Sequence, residues 1–167
     1  QSLGVELMVN TEPAKWLQLN LTGNLFRYQL DGEIDGQAVT SVSTTWRTNY
    51  NTTFILGKNT RFQVSGFYNG PSNTLQGKRE GFIVTNMALR QDLLKKQLTV
   101  SLNARDVFAT GKFAFMSQGD TFYTSNRMQR EAPVVTLNLS YRLNNYKQAG
   151  RRGGESEDQG GQMDMGM

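Results

Sequence analysis

The chain has 167 residues, 37% of them hydrophobic, and a formal net charge of +4. Its apolar runs stop at three or four residues, such as Phe54-Ile55-Leu56 and Phe113 to Met116, far short of the roughly 18 that a membrane helix needs. With neither cysteine nor histidine, it lacks a disulfide framework, a thiol metal site and the commonest general base, and its scattered arginines argue against a nucleic-acid surface.

Period-two alternation starts at once. Leu3, Val5, Leu7 and Val9 alternate with Ser2, Gly4, Glu6 and Met8. Because Gln1 opens inside this apparent strand, with no initiator Met and no signal peptide, the chain is read as a mature fragment or a C-terminal piece. Asn10 to Ala14, with Pro13, predicts a short turn. Leu17, Leu19 and Leu21 then alternate with Gln18, Asn20 and Thr22, and a Gly- and acid-rich break follows over Asp31 to Ala38. Trp46 to Leu56 and Phe62 to Tyr68 are the next two runs, joined by a tight turn at Gly57-Lys58-Asn59-Thr60. Gly70 to Gly77 is a longer link. Ile83 to Arg90 and Leu98 to Arg105 are joined by a hairpin at Asp92 to Gln97. After a tight turn at Ala109-Thr110-Gly111, a weaker strand is predicted from Phe113 toward Tyr123. Arg127 to Pro133 leads into a last strand over Val135 to Leu143. The total is about eight strands, each reachable from its neighbour by a hairpin, which gives an antiparallel up-and-down meander.

Alternate side chains on a strand point to opposite faces. The apolar rows carry no charge, whereas the opposite rows carry Glu6, Arg47, Arg61, Arg90, Arg105 and Arg142. Arg or Lys on a lipid-facing row costs roughly 2–4 kcal/mol at the bilayer midplane, and the sequence keeps them off it. The polar rows are rich in Asn, Thr, Ser, Gln and Arg, unlike the Lys and Glu of soluble surfaces. Trp16, Tyr28, Trp46, Tyr68 and Tyr141 lie mostly toward strand ends, where interfacial girdles form. A transmembrane β-barrel is therefore expected over residues 1–145. The competing reading is a soluble all-β barrel or sandwich with its apolar face inward. Residues 146–167 are Gly-rich, polar and aperiodic, and read as a tail. Its end, Met163-Asp164-Met165-Gly166-Met167, is suited to holding a partner protein, since methionine adapts to irregular apolar surfaces.

No catalytic, cofactor or metal site is predicted, and a substrate site is not identified. Asp31, Glu33 and Asp35 lack the ligand pattern of a calcium loop and read as a solvated acidic loop. The triplets at Asn20 and Asn51 match a glycosylation acceptor but fall inside predicted strands. Glu6 and Glu80 are isolated acids, with no nucleophile and base beside them, so the chain is not read as an enzyme. The arginines are either lumenal ligands for an anion or partners of acids and water in a polar interior.

Three stretches carry a resemblance. Leu98 to Phe108 (LTVSLNARDVF) resembles the penultimate-region strand of TonB-dependent outer-membrane transporters, of the kind found in Bacteroidetes. Val134 to Leu143 (VVTLNLSYRL) resembles the family's last strand, and Gly4 to Leu7 with Trp16 to Leu19 resembles an upstream hairpin. The family's last strand commonly ends in an aromatic residue; here Leu143 stands there and a tail follows. The resemblance implies the last eight strands of a 22-stranded barrel in the bacterial outer membrane, importing a scarce nutrient. It also implies upstream strands, a plug and, through that plug, the TonB system as partners, besides outer-membrane lipid, with no cofactor and no nucleic acid. It puts the last strand's end and the tail in the periplasm. By the count of eight, it also puts the turns at 10–14, 57–60, 92–97 and 127–133 outside. The alternative is a complete eight-stranded barrel with a structural or adhesive role.

Overall fold

The computed structural model describes residues 1–143 except 35 and 120; the tail at 146–167 lies outside the described residues. Eleven strands follow one another: β1 (Ser2–Ala14), β2 (Leu17–Ile34), β3 (Gln37–Leu56), β4 (Thr60–Asn69), β5 (Ser72–Asn73), β6 (Gly77–Arg79), β7 (Phe82–Leu93), β8 (Leu98–Arg105), β9 (Lys112–Gln118), β10 (Tyr123–Gln129) and β11 (Val134–Tyr141). The one helix-like stretch among the described residues is a single left-handed turn at Leu94–Lys96, where φ is 49, 55 and 70. Seven strands form the main sheet, in the order β1-β2-β3-β4-β7-β8-β11. Every pair in it is antiparallel.

The alternation in the sequence sets the register. Leu17 pairs with Phe54, Phe54 with Phe62, Phe62 with Leu89, Leu89 with Leu102, and Leu102 with Leu137. One residue along, Gln18, Thr53, Gln63, Ala88, Asn103 and Thr136 form the matching row. A slip of one residue at any ladder would bring a polar row onto the apolar face. Tight connections suit their residues: Gly57 takes φ +82 between β3 and β4, a left-handed conformation that L side chains rarely adopt.

The polar face is partly covered and the apolar face is bare. The second sheet, in the order β10-β9-β6-β5, lies on the polar side. On the apolar side Leu3 is 81% exposed and Leu139 67%, and Ala114 is the one buried hydrophobic residue described. A soluble barrel or sandwich would bury the apolar rows, so that alternative does not describe this chain.

The second sheet corrects the expected count of about eight wall strands. The strand predicted from Phe113 toward Tyr123 is not in the wall, because β8 pairs directly with β11. β9 and β10 instead form a hairpin that β6 joins through β9. The physical reason lies in β10, whose rows are Tyr123-Ser125-Arg127-Gln129 and Thr124-Asn126-Met128. Neither row is apolar, whereas β11 offers Val135, Leu137, Leu139 and Tyr141.

Smaller boundaries also move. The acidic stretch at Asp31 to Ile34 is strand, since β2 and β3 pair out to Ile34 and Gln37. The first turn falls at residues 15–16, and Pro13 sits where the register shifts between Thr11 and Ala14, a site that tolerates its missing N–H. β1 and β11 are the two edges of an open sheet, with no ladder between them among the described residues.

Candidate functional site

Two surfaces are built by this register. On the apolar face, aromatic side chains gather at two levels. Toward the short turns, Trp16 stacks on Phe54 at 6.3 Å and Phe54 on Phe62 at 6.0 Å, with Tyr141 at the same end of the sheet. At the other level Trp46 meets Tyr68 at 5.9 Å. Phe54 and Trp46 share β3, and at about 3.3 Å per residue they are roughly 26 Å apart along it. Beyond Leu25 the same row becomes charged, with Arg27, Asp31 and Glu33. On strands tilted by roughly 35–45°, that length makes an uncharged band about 20 Å tall, close to the roughly 25 Å apolar belt of a membrane barrel, with an aromatic girdle at each rim. Tyr28 is a correction to that girdle: it lies on the polar face, where its hydroxyl donates to the Asn73 carbonyl at 2.8 Å.

On the polar face the arginines occupy distinct surroundings. The Arg47 guanidinium lies 5.5 Å from the centre of the Phe26 ring, within cation–π reach. Arg90 pairs with Asp92 at 3.2 Å, and Thr99 also donates to Asp92. Arg61 stands directly opposite Arg90 in the β4–β7 ladder. Between them opens a space of about 350 Å³ lined by Gln18, Thr53, Arg61, Gln63, Ala88 and Arg90 among others.

At the far end from the short turns, the second sheet folds onto this face. The Asn73 N–H donates to the Ser43 hydroxyl at 2.9 Å, with Ser43 buried on the wall. Phe82 meets Phe67 at 5.8 Å and Phe113 at 6.4 Å, both edge to face. The segment leaving β8 turns on buried Asp106, whose carboxylate accepts the N–H groups of Thr110 and Gly111 at 3.0 and 2.9 Å. Its own N–H donates to Asn86 on β7 at 3.0 Å. These contacts fix the hairpin across the polar face near one mouth of the sheet.

Glu6 and Glu80 stand on different parts of the fold, Glu6 on edge strand β1 and Glu80 just after β6, and make no catalytic pair. Among the described residues, no group of three acidic, His or Cys side chains could hold a metal ion. Asn20 and Asn51 are paired with each other inside the wall. The arrangement is a wall with an apolar outside and a polar, arginine-bearing inside, partly covered at one mouth. The sequence signal for the covering sheet was present in β10's lack of an apolar row.

A family model described as the outer membrane protein beta-barrel family matches residues 1–141. No curated protein and no solved structure matches the chain.

Proposed function

The chain belongs to the outer membrane protein beta-barrel family, and from that premise we propose that it forms part of the wall of a larger outer-membrane barrel, that of a TonB-dependent transporter importing a scarce nutrient. The observation that carries the larger barrel is the seven-stranded open sheet; the transporter reading rests on the resemblance of Leu98 to Phe108 and Val134 to Leu143. Bacterial single-chain barrels have an even number of strands, and an edge left bare in lipid exposes N–H and C=O groups at high cost. β1 and β11 therefore take further strands as neighbours. The apolar face contacts lipid and the polar face is the lumen. The role is structural within a transport cycle, with no catalytic step, and energy comes through a plug and the inner-membrane TonB system.

Sidedness follows from the seven-strand count. The turns at 15–16, 57–59 and 94–97 lie at the same end as the end of β11. Taking that end as periplasmic puts the short turns in the periplasm and the long connections outside, the usual asymmetry of these barrels. The count of eight in the sequence reading gave these three turns the opposite side, and removing one wall strand reverses every turn upstream of β8. β11 still ends at the periplasm, so a tail beyond it leaves on that side.

The test is disulfide trapping. With Val5→Cys and Leu139→Cys in residues 1–143 expressed alone, no bond should form between the edges. In the complete outer-membrane protein, uptake of its solute should stop when TonB is deleted. A closed, heat-modifiable barrel from residues 1–143 with the 5–139 disulfide would support the small-barrel alternative instead.

A further inference from the structure

The geometry points to an anion site on the wall between Arg61 and Arg90, taking a carboxylate or phosphate group of the transported solute. This rests on the reading of the polar face as the lumen. Two guanidinium groups directly opposite on neighbouring strands repel one another and weaken the ladder. Asp92 takes one edge of Arg90, which leaves Arg61 and the remaining Arg90 donors to an oxyanion held between them, in charge-assisted contacts for which guanidinium is well shaped.

The lining supports this choice. Gln18, Thr53 and Gln63 add hydrogen-bonding groups, and no carboxylate lines the space. Two acids on the same face are engaged. Asp92 accepts from Arg90 and Thr99, and Glu12 accepts from Gln18 at 3.0 Å. Among the described residues Arg61 makes no ion pair and no side-chain hydrogen bond, so its donors are open to a ligand. The space of about 350 Å³ falls within the range of small-molecule sites, roughly 300–1,000 Å³. Its place between the mouth hairpin and the short turns puts it on the path a solute would take through the lumen.

Because the sequence has no cysteine, single cysteines can report the local potential. The experiment uses the complete outer-membrane protein carrying Ala88→Cys, a small residue in the lining. Thiosulfonate reagents of opposite charge and equal size are compared. The anionic reagent should react about tenfold faster than the cationic one, as expected of a focused positive field. Adding Arg61→Gln and Arg90→Gln should bring the ratio close to one. Arg61→Gln alone should lower it part way, and covers the case in which the double variant does not assemble. Citrate or inorganic phosphate should slow modification in the parent and not in the arginine variants. A ratio near one in the parent, or a ratio untouched by the arginine variants, overturns the proposal. If Ala88→Cys is closed to both reagents while Ser65→Cys reacts, another part of the protein fills the site, and the solute assignment fails. Reaction at Val64→Cys with none at Ser65→Cys would instead defeat the lumen reading itself.

Discussion

Tyr50 and Thr85 meet hydroxyl to hydroxyl at 2.6 Å, although β4 lies between their strands. The residue between them is Gly66, paired with Tyr50 on one side and Thr85 on the other. A Cβ there would run into the Val84 carbonyl oxygen of the neighbouring strand and would also stand 2.5 Å from the Tyr50 hydroxyl oxygen and 2.7 Å from its ring carbon Cζ. Gly66 is thus the gap over which the ring lies, and the bond satisfies two hydroxyls on a face turned to hydrocarbon. Gly66→Val should displace the ring and lower the denaturant midpoint of the refolded barrel. Tyr50→Phe should cost less, about 0.5–2 kcal/mol. A Gly66→Val protein as stable as the parent would show that the ring and the Val84 carbonyl can both give way.

The two faces predict unequal tolerance of charge. Leu102 and Asn103 are neighbours on β8 with opposite orientations, paired with Leu137 and Thr136. Leu102→Arg should reduce the yield of membrane-inserted protein strongly, by an amount consistent with roughly 2–4 kcal/mol. Asn103→Arg should leave it nearly unchanged. Asn103 is the better control than Ser101, which faces Arg90. Equal losses would mean that the face assignment is wrong.

Sidedness can be read on intact cells. An epitope inserted at Gly36 should be detected from outside, and one inserted at Lys58 only after the outer membrane is permeabilised. The reverse pattern would restore the orientation that an eighth wall strand implies.

Gly57 should resist substitution through its backbone alone. Nothing stands within 4 Å of an added Cβ there, so any cost comes from φ +82. Gly57→Ala should destabilise by about 1 kcal/mol, and Gly57→Asn by less, because Asn tolerates the left-handed region. Equal costs in an equilibrium unfolding series would point to some other cause.

Asp31 lies on the part of β2 that extends past the apolar band. Hydrogen bonds from Gln29, at 2.9 Å, and Thr40, at 2.8 Å, hold its carboxyl below the usual carboxylate range. Its folded pKa is depressed, so its contribution is present above the unfolded value and lost as pH falls through the folded one. Protection factors of the amides near Thr40, which divide out the intrinsic pH dependence of exchange, should therefore be unchanged from neutral pH down to about pH 4 and fall only below that, and Asp31→Asn should remove the step.

The wall was legible because membrane strands state their orientation residue by residue. The rows through Leu98, Val100 and Leu102, and through Val135, Leu137 and Leu139, pair as their alternation requires. What alternation could not show was that Phe113 to Gln129 leaves the wall. Phe113 and Phe115 are apolar and alternate, but their destination depended on β10, which offered lipid no apolar row. The Arg61–Arg90 opposition was invisible for another reason: both residues were read as facing the same way, but only the ladder shows that they share a rung.

The pairing of β8 with β11 across residues 106–133 bears on the order in which the wall is completed. β1 to β4 zip through turns of a few residues, and a hairpin of that kind forms in about 1–10 μs. Bringing β11 back to β8 closes a far longer segment, at an entropic cost about 2 kcal/mol greater. The β9–β10 hairpin can form first, because its two strands are close in sequence. β11 is then the last of these strands to find its neighbour, and until it does the edge of β8 is the growing end of the barrel.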